Sequence, residues 1–281
     1  MTNIKINTAA IRGWLKTLFN WFVPERIQVL FWSVRSRRLS HARLREWGMP
    51  EVNDKLLKAF GNRCVQGLFP DMVLPNFLRS EQMGPFLLGT YEQEIAPWFI
   101  LLKSRQFSMI LDIGSKFGFY AVGLAQWFPP TRVIAFDTDP WAQKATRDFA
   151  QMNNVHNVEA LGYCSPKWMS SHLLPNSLII SDCEGYEFIL FHPESIPNLK
   201  TATMIIESHD AFPWEKHGKL IERFRDTHEV DEISFDPGDR SKRTGMDLSF
   251  LNPSELTLAV GEPRYPWQKW LFIRPKAADS L

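Results

Sequence analysis

With 281 residues and a formal net charge of +1, the chain can bury a large core, sufficient for one α/β domain plus an appendage. Its three cysteines, Cys64, Cys164 and Cys183, are odd in number, far apart and without C-x-x-C spacing, so they indicate neither a disulfide framework nor a cysteine zinc site and fit a reducing, cytoplasmic setting. The near-neutral total hides an asymmetry: up to Arg45 there are nine Lys/Arg against the single acid Glu25.

In that basic segment Ile11, Trp14, Leu15, Leu18 and Phe22 form one helical apolar stripe, and Ile27, Leu30, Phe31 and Val34 a second after Pro24. Such helices either cap a core or lie peripherally at an anionic membrane surface. Charged residues interrupt every apolar stretch of spanning length, and no signal-peptide pattern is seen. Arg35-Ser36-Arg37-Arg38 lacks any accompanying recognition motif, so no nucleic-acid partner is expected. Residues 1–85 are read as an N-terminal helical extension and 86–281 as the main domain. Helix is expected around Asp54–Phe60, proline-punctuated loops over Pro70–Pro85, and a helix from Ile95 to Leu102. Glu92 and Glu94 precede that helix, where acids are electrostatically favourable.

The chain is organised around Met109–Pro140. Met109-Ile110-Leu111 reads as a strand ending in Asp112-Ile113-Gly114-Ser115-Lys116-Phe117-Gly118, whose glycines permit a sharp turn and close approach of a ligand. A helix follows from Phe119 until Pro129-Pro130 stops it, its N-terminal amides facing the ligand. Arg132–Phe136 is a second strand ending at Asp137, where a carboxylate suits a pair of ribose hydroxyls. Asp139-Pro140 then caps the next helix, Pro140 to about Met152. The pattern D-x-G-x-x-x-G is one glycine short of a dinucleotide fingerprint, which argues against NAD. Read blandly, the glycines of an ordinary doubly wound domain make a tight turn.

Strands are expected next at Val155–Leu161, Ser177–Ile180 and Ala202–Ile206, alternating with helices as in a parallel sheet. A helix over Trp214–Phe224 and a polar loop over Phe235–Gly245 follow, then an antiparallel edge pair at Leu256–Val260 and Trp270–Arg274. The strand ends carry Asp112, Asp137, Asp182, Glu184, Glu207 and His209, which places all six around one crevice at the carboxyl edge of the sheet. Asp182 and Glu184 alone are weak evidence for a divalent metal without a third ligand, and no metal is expected. Glu187 reads as a residue of the following helix.

The ordered blocks G-T-Y-E (from Gly89), D-I-G-x-x-x-G (from Asp112), A-F-D-x-D-P (from Ala135), D-C-E-G-Y-E (from Asp182) and I-I-E-S-H (from Ile205) resemble the FkbM-type family of class I S-adenosylmethionine-dependent methyltransferases. The resemblance spans roughly Gly89–Asp210. It implies a Rossmann-like class I methyltransferase fold with a mostly parallel seven-stranded sheet and an antiparallel C-terminal edge. It also implies S-adenosylmethionine as cofactor, held by Glu92, Asp112, Gly114, Ser115, Gly118, Asp137 and Thr138, and O-methylation of a hydroxyl on a sugar, glycan or natural product. His209 is the first candidate for catalytic base, with Asp182 and Glu184 as runners-up. The chain departs from the family's pattern at Lys116, where Asn is common, and at Ile180, where Lys is common. Those departures support the alternative of a catalytically silent binding or scaffold protein.

Overall fold

The computed structural model describes residues 39–40, 42–209, 217–235, 244–262 and 269–276. The two basic apolar stripes and most of the 235–245 loop lie outside them. Seven strands form one sheet: β1 (Ile110–Ile113), β2 (Val133–Phe136), β3 (Val158–Leu161), β4 (Leu178–Ser181), β5 (Thr203–Ser208), β6 (His228–Ser234) and β7 (Lys269–Pro275), in the order β3-β2-β1-β4-β5-β7-β6. β1 to β5 pair in parallel, and β7 runs antiparallel to both β5 and β6. This is the Rossmann-like class I methyltransferase fold that the resemblance implies.

The central strands β1, β2, β4 and β5 are buried at every position. This is why they read as mostly apolar runs without alternation: helices cover both faces of a parallel sheet. Alternate residues feed two cores. Ile110, Ile180 and Ile205 join the helix Phe119–Trp127 on one face, while Leu111, Ile179 and Met204 pack with Met169, Phe188 and Phe224 on the other. The first core also takes in Val52, Leu56, Phe69, Met72 and Met83, so the segment before Gly84 packs on the same face as the helix that follows the glycine turn.

One expected strand is a helix, and one strand lies where none is expected. Leu256–Val260 is not a strand but lies in the helix Pro253–Val260, because Asn252 and Glu255 form a reciprocal capping box with proline at the first helical position. The strand partnering β7 is instead β6, with exposed acids at Glu229, Asp231 and Glu232. Among the described residues, no helix is long and apolar enough to cross a membrane.

Candidate active site

From β1 the chain adds β2 and β3 on one side and then returns to add β4 and β5 on the other, so the order of strand connection reverses between β1 and β4 while the strands stay parallel. Loops from the carboxyl ends part there and leave room for a ligand. The turn after β1 is fixed from below: the Gly114 and Ser115 amides both donate to the Phe136 carbonyl, at 2.8 and 3.0 Å, and the Gly118 amide donates to the Ser115 carbonyl at 2.7 Å. Gly114 has φ 85°, and a Cβ there would stand 1.8 Å from the Asp182 carbonyl oxygen. The turn therefore presses directly on the β4 loop, which only glycine permits.

Asp112 is 3% exposed and accepts a 2.9 Å hydrogen bond from the Ala121 amide in the first turn of Phe119–Trp127. Burial, aided by the charges of Asp137 and Asp182, raises its pKa to about 7 against that hydrogen bond. Asp137 accepts from the Lys116 amide at 2.9 Å and the Asp139 amide at 2.8 Å, one on each oxygen. Burial nonetheless lifts its pKa to about 6. Each of those oxygens keeps a second lone pair for a ligand. Ser115 is buried and Thr138 half-buried beside them. Glu92 is fully buried at the other end of the turn: its carboxylate accepts from the Tyr120 hydroxyl, and its amide donates to Glu262 Oε1 at 3.1 Å.

A second constellation surrounds His209, whose side chain is 11% exposed. Nδ1 lies 3.2 Å from Glu187 Oε1, while Nε2 faces Asp182 Oδ1 at 3.6 Å, Glu184 Oε2 at 3.6 Å and Glu207 Oε2 at 3.8 Å. Burial lowers the His209 pKa, but the Glu187 hydrogen bond and the charges of Glu187, Asp182 and Glu184 overcome it and raise it to about 9. Glu207 is raised by burial and by Asp182, to which it is hydrogen-bonded, so this pair retains a proton at neutral pH. The structure thus gathers His209, Asp182 and Glu184, and adds Glu187 and Glu207 to them. Glu92 is held apart from this group, on Tyr120.

Glu187 is wholly buried and also accepts from the Cys183 amide at 3.0 Å. The signal that could have identified it is the last acid of D-C-E-G-Y-E, which a one-turn helix folds back under its own loop. Tyr120 and the hydroxyl contact between Tyr163 and Tyr186 carried no signal in the sequence. Among the described residues six non-glycine residues have positive φ, and three of them, Glu92, Lys116 and Glu184, lie in these loops. Strain of this kind gathers at functional sites.

No protein-family model matches the chain, and no curated protein matches it. Among solved structures it is similar to a precorrin-6Y C5,15-methyltransferase from Geobacter metallireducens (15% identity, TM-score 0.39, covering 51% of this chain and 76% of that one). It is also similar to an O-methyltransferase of tomaymycin synthesis from Streptomyces achromogenes (18%, 0.39, 50% and 74%). A third is an O-methyltransferase from Bacillus cereus (14%, 0.42, 80% and 91%). These are likenesses of fold; the fold itself rests on the strand order and pairing.

Proposed function

We propose that this chain is an S-adenosylmethionine-dependent methyltransferase acting on a hydroxyl of a sugar, glycan or natural product. The observation that carries the reading is the grouping of Asp112, Asp137 and Asp182 at the ends of β1, β2 and β4, close enough that the charges of Asp137 and Asp182 raise Asp112. Three poorly hydrated carboxylates around a glycine turn favour a cationic ligand. A donor bearing a sulfonium and an ammonium answers that field, whereas the pyrophosphate of a dinucleotide is repelled by it.

Asp137 would take the ribose, with the Gly114–Gly118 turn against the nucleoside and Glu92, through Tyr120, steadying the helix behind it. When bound, the cofactor supplies an electrophilic methyl group. The chain's own residues then have two tasks: to align the acceptor oxygen and to receive its proton. His209 is an imidazolium at neutral pH in this setting, so the proton is accepted by the cluster of His209 and Asp182, with Glu184 beside it, rather than by a free imidazole.

A silent binding protein is the second reading, and one observation favours it. Ile180 is 1% exposed in the core, so β4 offers no cation to the acceptor side. The other departure weighs less, because Lys116 meets Asp137 through its amide, which any residue supplies. Incubation with labelled donor and a panel of glycosides and hydroxylated small molecules decides between them. Label on a hydroxyl is expected; donor binding without transfer to any acceptor favours the silent reading, and no donor binding at all ends the methyltransferase reading.

A further inference from the structure

We propose that Asp182, Glu207 and His209 form a binding site for one first-row divalent cation, with Glu184 at its solvent side. The sequence offered only the Asp182 and Glu184 pair; the fold brings two further ligands from the end of β5. Ligand atoms of Asp182, Glu207 and His209 lie within 4.8 Å of one another. Nε2 faces oxygens of Asp182, Glu184 and Glu207 at 3.6, 3.6 and 3.8 Å and hydrogen-bonds to none of them.

These separations are informative. A charge-assisted hydrogen bond closes to about 2.7–2.9 Å. Ligands that share one ion at about 2.1 Å, with angles of about 90–120°, stand roughly 3.0–3.6 Å apart. None of the oxygens around Nε2 has the first spacing; those of Asp182 and Glu184, at 3.6 Å, stand at the upper end of the second, and that of Glu207, at 3.8 Å, lies just beyond it.

Glu187 supplies an independent sign. It is wholly buried, and one of its oxygens holds Nδ1 at 3.2 Å while the other is enclosed without a hydrogen-bond partner. A carboxylate on the far nitrogen of an imidazole fixes the tautomer whose remaining lone pair points outward, the arrangement that supports metal-ligating histidines. Here Nε2 faces Asp182 and Glu207, and a cation bound there would displace the Nε2 proton to solvent and take the lone pair so freed. Asp182 Oδ1 is likewise enclosed without a partner. Among the described residues no Lys or Arg forms an ion pair with Asp182, Glu184 or Glu187. One imidazole with two or three carboxylates suits Mn²⁺, Fe²⁺ or Zn²⁺ better than Ca²⁺.

The site needs no methyl donor, so it stands or falls separately from the methyltransferase reading. Where both hold, the ion would acidify the acceptor hydroxyl by Lewis-acid coordination, and the released proton would go to Glu184 on the solvent side, since Asp182 and His209 are then occupied as ligands. The test is titration of the chelator-treated full chain with Mn²⁺ alone, followed by electron paramagnetic resonance and calorimetry. One saturable site is expected. His209→Ala and Glu207→Gln, checked for folding by circular dichroism, should each weaken it by at least about tenfold, while Asp137→Asn leaves it unchanged. Absence of saturable uptake by the wild-type chain overturns the proposal whatever the variants do, and so does unchanged affinity in both folded variants. Mn²⁺ uptake without donor binding would retain this site and remove the methyltransferase reading; donor binding without Mn²⁺ uptake would do the reverse.

Discussion

At the scale of single residues, the raised carboxylates by the glycine turn make donor binding depend on pH. A cationic donor favours ionised Asp112 and Asp137, whose pKa values without ligand are about 7 and about 6. Donor affinity should therefore be level above pH 8 and fall as pH drops through 7 to 5, with proton release on binding near neutrality, measurable by calorimetry in buffers of different ionisation enthalpy. Affinity that is flat over this range removes the electrostatic basis of the reading. Folding carries the opposite sign. Asp112 has a folded pKa above its unfolded value, so the folded state binds the proton more tightly, and this group's cost is absent at low pH and grows from about pH 4 to 7. Asp112→Asn keeps an oxygen for the Ala121 amide. It should stabilise the donor-free protein at pH 8 by about 1–3 kcal/mol, lose that advantage near pH 4, and bind donor more weakly. Lys116 gives a smaller test. Its φ of 51° is one that Asn tolerates better, so Lys116→Asn should raise stability by about 0.5 kcal/mol or more without weakening donor binding, read from denaturant midpoints and calorimetry.

At the scale of elements, the closest packing of the helix Phe119–Trp127 on Phe69, one of its several contacts with the earlier part of the chain, can be tested by substitution. A Cβ on Gly123 would stand 2.4 Å from the Phe69 ring, which is 2% exposed and packs edge-on against Phe119 and Trp127. Gly123→Ala gains about 1 kcal/mol of helix propensity but overpacks the ring, a cost of about 1–3 kcal/mol. A net loss is expected. Phe69→Ala should cost about 3–5 kcal/mol by itself, and in its background Gly123→Ala should become stabilising, so that a double-mutant cycle shows coupling. Additivity would mean that the ring does not rest on this glycine. The sequence revealed elements wherever burial was total: β1, β2, β4 and β5 each carry an apolar run, with polar residues in β4 and β5 confined to the strand ends and Asp112 the one acid inside β1. It concealed β6, an edge strand whose Glu229, Asp231 and Glu232 obscure any alternation, and it made a strand of Leu256–Val260 because apolar residues outweighed the capping signal of Asn252 and Glu255. Acids at strand ends were legible for the same reason that the buried strands were, since polarity changes abruptly where the sheet stops. Glu187 was not, because its contact with His209 depends on a one-turn helix and on β5, neither of which is a local property.

At the scale of the whole molecule, the described part of the extension shares the core of the main domain. Val52, Leu56, Phe69, Met72, Leu74, Leu78 and Met83 are each at most 2% exposed, and they pack against Phe117, Phe119 and neighbouring core residues. Polar contacts seal the same face. The Asn153 side chain pairs with both backbone groups of Val73, at 2.8 and 3.1 Å, and Gln66 donates to the carbonyls of Leu88 and Thr244 at 3.0 and 2.7 Å. Each buried apolar side chain contributes about 1.5–3 kcal/mol, so losing seven removes about 10–20 kcal/mol, as much as the whole stability of an ordinary domain. A chain of residues 86–281, cut where the sequence patterns divide, should therefore aggregate or lack a cooperative melt, while residues 39–281 melt cooperatively. The aromatic face so exposed underlies the glycine turn, so the shorter chain should also bind no donor even where secondary structure survives in circular dichroism. If residues 86–281 instead gave a monomer melting within a few degrees of the longer chain, the segment from Met49 to Met83 would be a cover on a finished domain, and the positioning of the turn would have to come from the sheet alone.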